Sequence, residues 1–281
     1  MSKSTKKIIA VLILAFYLPA CASNSRQIHS DHAPGQTPLN TEELALGRQI
    51  NDYIISKIPV YDNPEAVQYI QTIGKHLAAF AKRRDLSYQF IILKDERIYA
   101  TSAPGGFVYI TTGFLVFLEN EAELAAVLAH EIGELQIKDP RFSRTRAVME
   151  KVITGGAMVA PIFGNFGALA VLGLVGMYAL MDQGDAQAKR LLKADKMALK
   201  LLTSAEEDPQ GLIDVCYKLL NASPRDLMYL YDYYQTRPVT ESRIKKLESN
   251  FTSLPLRDKT FTTNRNYFLG TLKSLRLPLT T

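Results

Sequence analysis

Glu121-Ala122-Glu123-Leu124-Ala125-Ala126-Val127-Leu128-Ala129-His130-Glu131-Ile132-Gly133-Glu134 is the most informative stretch of this chain. Leu124, Val127, Leu128, Ile132 and Leu135 recur at three- and four-residue intervals, which predicts a helix over 119–138 with one apolar stripe. Asp139-Pro140 ends it, because the residue before a proline is pushed out of the helical region. His130 and Glu134 stand four apart and share a helical face, with Glu131 beside the histidine. Histidine and carboxylate at that spacing can hold a metal ion, but a bare His-Glu pair on a helix carries little information, and taken alone it favours an exposed amphipathic helix.

Upstream, Asn40 can cap a helix with Glu43 three positions on, and Leu44, Leu46, Ile50 and Ile54 continue the pattern. Asn63-Pro64 is a second start, cap followed by first-turn proline, for a helix ending near Lys82. Ser87–Leu93 and Gly106–Thr112 are short and rich in aromatic and β-branched residues, so both are predicted strands, with 100–106 as the loop between them. Downstream, helices are predicted over 183–204, 209–221, 224–234 and 240–250, and the last thirty residues carry only a weak pattern and no repeat. The fold class expected is α+β, mainly helical, with a small sheet.

Residues 152–181 contain no charged side chain. By length they could span a bilayer, but Pro161, Asn165 and six glycines argue against one continuous helix. Buried helices around the functional cleft are the expectation. A surface dipping into lipid headgroups and a true span are the alternatives.

The chain has 281 residues, is 47% hydrophobic and carries a formal charge of +5. Lys3, Lys6 and Lys7 precede the first apolar run, and without residues 1–20 the remaining 30 basic residues face 28 acidic ones. No basic patch is left to argue for nucleic acid. Residues 1–20 have the lysine-rich start, apolar run and small-residue exit of an export signal. Leu18-Pro19-Ala20-Cys21 resembles the lipobox of bacterial lipoproteins, which implies lipidation of Cys21. Residues 21–39 are polar and rich in Pro, Gly, Asn and Ser, as a flexible tether would be. Ala22 and Ser23 lack the aspartate associated with inner-membrane retention, so the expected location is the outer membrane of a Gram-negative cell, facing the periplasm. An exposed cysteine behind an ordinary secretory signal is the alternative. Residues 40–281 are then one folded domain. The second of the two cysteines, Cys216, lies in a helical pattern and is expected to be a small core residue.

The 121–133 stretch closely resembles the active-site helix of the zinc metallopeptidase family M forty-eight. Leu46-Gly47-Arg48, Val60-Tyr61-Asp62-Asn63-Pro64, Pro104-Gly105-Gly106, Ala194-Asp195 and Thr236-Arg237-Pro238 fall in the family's order and approximate spacing over about residues 40–250. The resemblance implies a zincin-like metallopeptidase domain, in which an H-E-x-x-H helix clamps zinc and the glutamate acts as general base on bound water. Glu131 matches that base and His130 the first ligand. The second ligand's position holds Glu134, and the glutamate of an E-x-x-A-D pattern is Leu191. A histidine expected within a T-H-P triplet is Arg237, and an asparagine near the Pro-Gly-Gly loop is Tyr99. Asp195 matches a residue that supports the ligands.

Glutamate can ligate zinc; leucine cannot, and an arginine repels it. Of the four histidines, His29 and His32 lie in the tether and His76 in an ordinary helical stretch, so none is an evident replacement. Arg237 is therefore expected to stand in for the metal, its planar fork pairing with Glu131, Glu134 or both. A solvated surface arginine is the alternative. No cofactor is expected on this reading.

The function expected is an envelope lipoprotein, non-catalytic or impaired, that binds polypeptide segments of exported or outer-membrane proteins in protein quality control. Phe107, Val108, Tyr109, Ile110, Thr111 and Thr112 are the candidate edge strand to which an extended peptide would add. Two alternatives stand beside it: a zinc-dependent metalloendopeptidase using His130, Glu134 and Glu131, and a structural lipoprotein docked to a membrane partner.

Overall fold

The computed structural model describes residues 40–137, 185–256 and 260–276. Cys21, the export signal, the tether and the uncharged 152–181 stretch lie outside the described residues. Helix starts follow the caps read from sequence. Asn40 opens α1 (Thr41–Lys57), its Oδ1 accepting from the Glu43 amide at 3.0 Å. Asn63 opens α2 (Pro64–Ala78) in the same way, with Pro64 at the first helical position.

Three short strands form one sheet: β1 (Gln89–Leu93), β2 (Ala100–Ala103) and β3 (Phe107–Thr111). Their order is β1-β3-β2, with β1 parallel and β2 antiparallel to β3. Three expectations are corrected here. Ala100–Ala103, read as loop, is a strand, because small residues with little strand preference of their own pair with β3. Phe107–Thr111, read as an edge, is the central strand: both its edges are hydrogen-bonded and every residue in it is buried. Thr112 is not a strand residue at all; it begins α3 (Thr112–Phe117), which periodicity did not reveal.

The β2–β3 connection is the 3-10 turn Pro104–Gly106, with Gly105 and Gly106 at φ 81° and 99°, where side chains are strained. Helix α1 grips this turn. The Glu43 carboxylate accepts from the Gly105 amide at 3.3 Å and pairs with Arg83 at 2.7 Å. Gly47 lies so close that a Cβ there would meet the Pro104 carbonyl at 2.0 Å. Two of the motifs quoted above are thus halves of one packing contact.

Helix α4 (Glu121–Gln136) starts at Asn120, whose Oδ1 accepts from the Glu123 amide at 2.9 Å. The single apolar stripe is an underestimate, since Ala122 through Gly133 are buried without interruption. Ala125, Ala126 and Ala129 let neighbours approach on the remaining faces, so α4 is a central helix, packed by α2, β2 and two later helices, α5 (Asp185–Ser204) and α6 (Gln210–Leu220). Then come α7 (Pro224–Thr236), α8 (Glu241–Thr252), and two short helices that the weak C-terminal pattern did not announce, α9 (Arg265–Thr271) and α10 (Lys273–Arg276). One apolar cluster runs from Leu46 to Leu272. Among the described residues, no helix is long and apolar enough to cross a membrane.

Candidate functional site

Four helical elements and one strand converge beside the C-terminal half of α4. That helix supplies His130, Glu131 and Glu134, and α5 supplies Arg190, Leu191 and Asp195. Arg237 is the C-cap of α7, its amide bonded to the Tyr233 carbonyl at 2.7 Å, and Arg243 lies in the first turn of α8. Gly133 makes the convergence possible: a Cβ there would stand 2.8 Å from the Ala194 carbonyl, so only a glycine lets α4 and α5 come this close.

Arg237, 3% exposed, points inward rather than to solvent. Its Nη2 donates to Glu131 Oε2 at 2.9 Å and to Glu134 Oε2 at 3.1 Å, and lies 3.4 Å from Thr101 Oγ1 on β2. The expected fork geometry is not used; one nitrogen serves both carboxylates. The guanidinium carbon sits 5.9 Å from the centre of the Tyr99 ring, which is itself fully buried and edge-on to Tyr233. Burial works against the charged guanidinium, but Glu131, then Glu134, outweigh it and raise its pKa further. Burial also drives the Glu131 carboxyl above its ordinary range, opposed by Arg237 and by a hydrogen bond from Ser102 on β2.

A second ion pair lies behind the first. Asp195 is fully buried and takes two bonds from Arg243, from Nε and Nη2, each at 2.8 Å, while Arg243 Nη1 donates to the Pro238 carbonyl at 3.2 Å. His130 Nδ1 approaches Asp195 Oδ1 to 2.9 Å, off the line of the ring N–H, and its Nε2 stands 3.8 Å from Glu134 Oε1. Burial alone would raise the Asp195 pKa; the Arg243 charge and hydrogen bonds overcome it and hold the carboxyl well below the usual range.

His130, Glu131, Glu134, Asp195 and Arg237 are therefore in one place. Leu191 is buried on the same face of α5, one turn before Asp195. Phe107–Thr111 is not an open edge of this site. The strand nearest the ion pairs is β2, through Thr101 and Ser102. His76 is exposed on α2 and bonds the Ala205 carbonyl at 2.7 Å, away from the cluster. Three contributors were missed from sequence: Arg190, whose Nη1 donates to Glu134 Oε1 at 2.7 Å, Arg243 and Ser102. Arg190 sits next to the position occupied by Leu191, and Arg243 follows Arg237 by six residues, but neither spacing singles them out among 33 basic residues.

The profile of Peptidase family M48 matches residues 64–250. The chain is 24% identical over 264 residues to the Beta-barrel assembly-enhancing protease of Escherichia coli (strain K12), covering 85% of this chain and 51% of that protein. To the protein of the same name from Yersinia pestis it is 26% identical over 223 residues, covering 75% and 44%. To the Mitochondrial metalloendopeptidase OMA1 of Schizosaccharomyces pombe it is 26% identical over 183 residues, covering 64% and 51%. The chain thus spans about half the length of these curated relatives. The matched stretch contains β1 to β3, the His130-Glu131 helix, Asp195, Arg237 and Arg243, which is the whole of the convergence described above, and the chain belongs to Peptidase family M48.

Proposed function

We propose that this chain is a lipid-anchored envelope protein that uses a metallopeptidase-like domain to hold extended polypeptide segments without hydrolysing them. The observation that carries this reading is the Arg237 guanidinium between Glu131 and Glu134, at 2.9 and 3.1 Å. A zinc ion bound through position 134 would have to share this ground with a permanent cation. The third family ligand is replaced by the buried side chain of Leu191, which has no lone pair to offer. These residues do not fit zinc, so no hydrolytic step is derived through it.

Peptide binding does not need the metal. The Thr111 amide bonds the Tyr99 carbonyl at 3.0 Å, and alternation along an antiparallel pair then turns Thr101 and Ala103 toward β3 and the backbone groups of Ala100 and Ser102 to the outer edge of β2. An extended segment adding to that edge would lie beside Ser102 and the ion cluster. This moves the docking strand from Phe107–Thr112 to Ala100–Ala103. The relatives named for enhancing β-barrel assembly support outer-membrane proteins as the source of such segments. On this reading residues 1–20 are a leader, Cys21 carries lipid, 21–39 are the tether and 40–281 the domain at the periplasmic face of the outer membrane.

The test uses the purified chain with two measurements, zinc content by mass spectrometry and anisotropy of a labelled, unfolded outer-membrane-protein segment. The expected result is no stoichiometric zinc, no cleavage, and binding that Ser102→Pro weakens by about tenfold, since proline removes an outward N–H from an edge strand that otherwise tolerates it. One zinc per chain together with cleavage would establish the zinc endopeptidase instead. Unchanged binding in Ser102→Pro would remove β2 as the docking edge.

A further inference from the structure

Arg190 belongs to none of the motifs above, yet its bond to Glu134 changes what the pocket can accept. Glu134 Oε1 takes Arg190 Nη1 at 2.7 Å and Glu134 Oε2 takes Arg237 Nη2 at 3.1 Å. Both oxygens of one carboxylate are committed, each to a guanidinium from a different element, α5 and the end of α7. The Arg190 and Glu134 side chains retain only 10% and 11% of their exposure, so water screens the pair weakly.

Among the described residues, the charges of the pocket then balance. Glu131 and Glu134 face Arg237 and Arg190, and Asp195 faces Arg243. With Arg237 alone, the first set would carry one carboxylate in excess, and a divalent cation could still gain by approaching Glu134, which is a competent ligand type. With Arg190 in place, a second positive centre occupies the remaining oxygen. A divalent cation entering would lose its hydration in exchange for a neutral surrounding.

We infer that Arg190 acts with Arg237 to bar divalent cations from this pocket, so that positions 131, 134, 190 and 237 form a metal-excluding ionic centre rather than a weakened metal site. The inference rests on the reading of Arg237 as the cation of the pocket and adds a residue to it. Both barriers are guanidiniums, which stay charged at any pH the protein meets, so exclusion does not titrate away. Glu134 is the hub of the centre, and its side-chain type is not what denies the metal; Arg190 and Arg237 bar it, beside the absent donor at Leu191.

The experiment titrates zinc into the full chain and into Arg190→Met, Arg237→Met and Arg190→Met/Arg237→Met, reading affinity by calorimetry, bound metal after dialysis, and the shift in unfolding temperature on adding zinc. The wild type is expected to bind no zinc, and Arg190→Met to bind it only weakly by calorimetry without retaining it through dialysis. Arg237→Met is expected to bind it weakly, and the double variant roughly tenfold more tightly or better, as loss of one competing charge pair on a ligand implies. Arg190→Lys/Arg237→Met keeps the second charge and should stay with Arg237→Met. Adding Glu134→Ala to the double variant should abolish the gained binding. Equal affinity of Arg237→Met and the double variant would overturn the role of Arg190. Should the double variant be unfolded without metal, recovery of its helical circular dichroism by equimolar zinc but not magnesium is the same result, and failure to recover overturns the inference. Stoichiometric zinc in the wild type would overturn the exclusion and the proposed function together, whereas equal affinity of the two variants overturns the role of Arg190 alone.

Discussion

Arg237 Nη2 lies 2.9 Å from Glu131 Oε2, with the two side chains 3% and 1% exposed, and the same nitrogen reaches Glu134. Removing the arginine would leave two buried carboxylates facing each other without that cation. Arg237→Met is expected to lower stability by about 3–5 kcal/mol, the usual cost of breaking a buried pair by deleting one partner. Glu131→Gln added to it should recover part of that loss, because an amide needs no counter-ion. Urea unfolding of the single and double variants measures both, and a loss under about 1 kcal/mol for Arg237→Met would mean a solvent-screened pair instead.

Asp195 gives the acid limb of the stability profile. Its folded pKa is depressed by Arg243, so the unfolded chain binds this proton more readily, and the contribution is complete above about pH 5 and lost as the pH falls below the ordinary aspartate value of about 3.9 toward the folded one. Asp195→Asn should flatten that limb and, by stranding Arg243, cost about 3–5 kcal/mol at neutral pH. Denaturant midpoints from pH 3 to 7 would show it, and an unchanged slope in the variant would count against the assignment.

Gly133→Ala is a test of the α4–α5 contact. The new methyl would stand 2.8 Å from the Ala194 carbonyl, which is backbone and cannot rotate aside, so the helices must part. The expected loss is about 1–3 kcal/mol despite alanine's better helix propensity, with loosening of the Glu134–Arg190 pair. A stabilised variant in thermal unfolding would show that the helices had room to spare.

Cys216 is buried at 3% exposure on α6, and burial pushes its thiol up to about 12. A thiol reagent at pH 8 is expected to label it only in denaturant, since the thiolate is the reactive form. Rapid labelling of the native protein would place this face of α6 at the surface.

Much of the architecture could be read locally. Asn40, Asn63 and the proline at 64 set helix starts through bonds spanning three residues, and the spacing of Leu124, Val127, Leu128 and Ile132 marked α4 without knowledge of its neighbours. The glycines of Leu46-Gly47-Arg48 and Pro104-Gly105-Gly106 could be listed from sequence, but that they press against each other could not. Ala100–Ala103 was missed because strand character there comes from pairing with Phe107–Ile110, and the order of strands, hence which edge is open, is decided by that pairing.

The chain's residues alone were enough for the family and for which side chains stand at 134, 191 and 237, since these are matters of identity and spacing. They could not say where a long charged side chain ends. Arg190 and Arg237 are 47 positions apart and meet on one carboxylate, a juxtaposition that exists only when α4, α5 and the end of α7 pack together. Once water is excluded from that junction, each buried carboxylate must find a cation, and desolvation selects the arginines within reach.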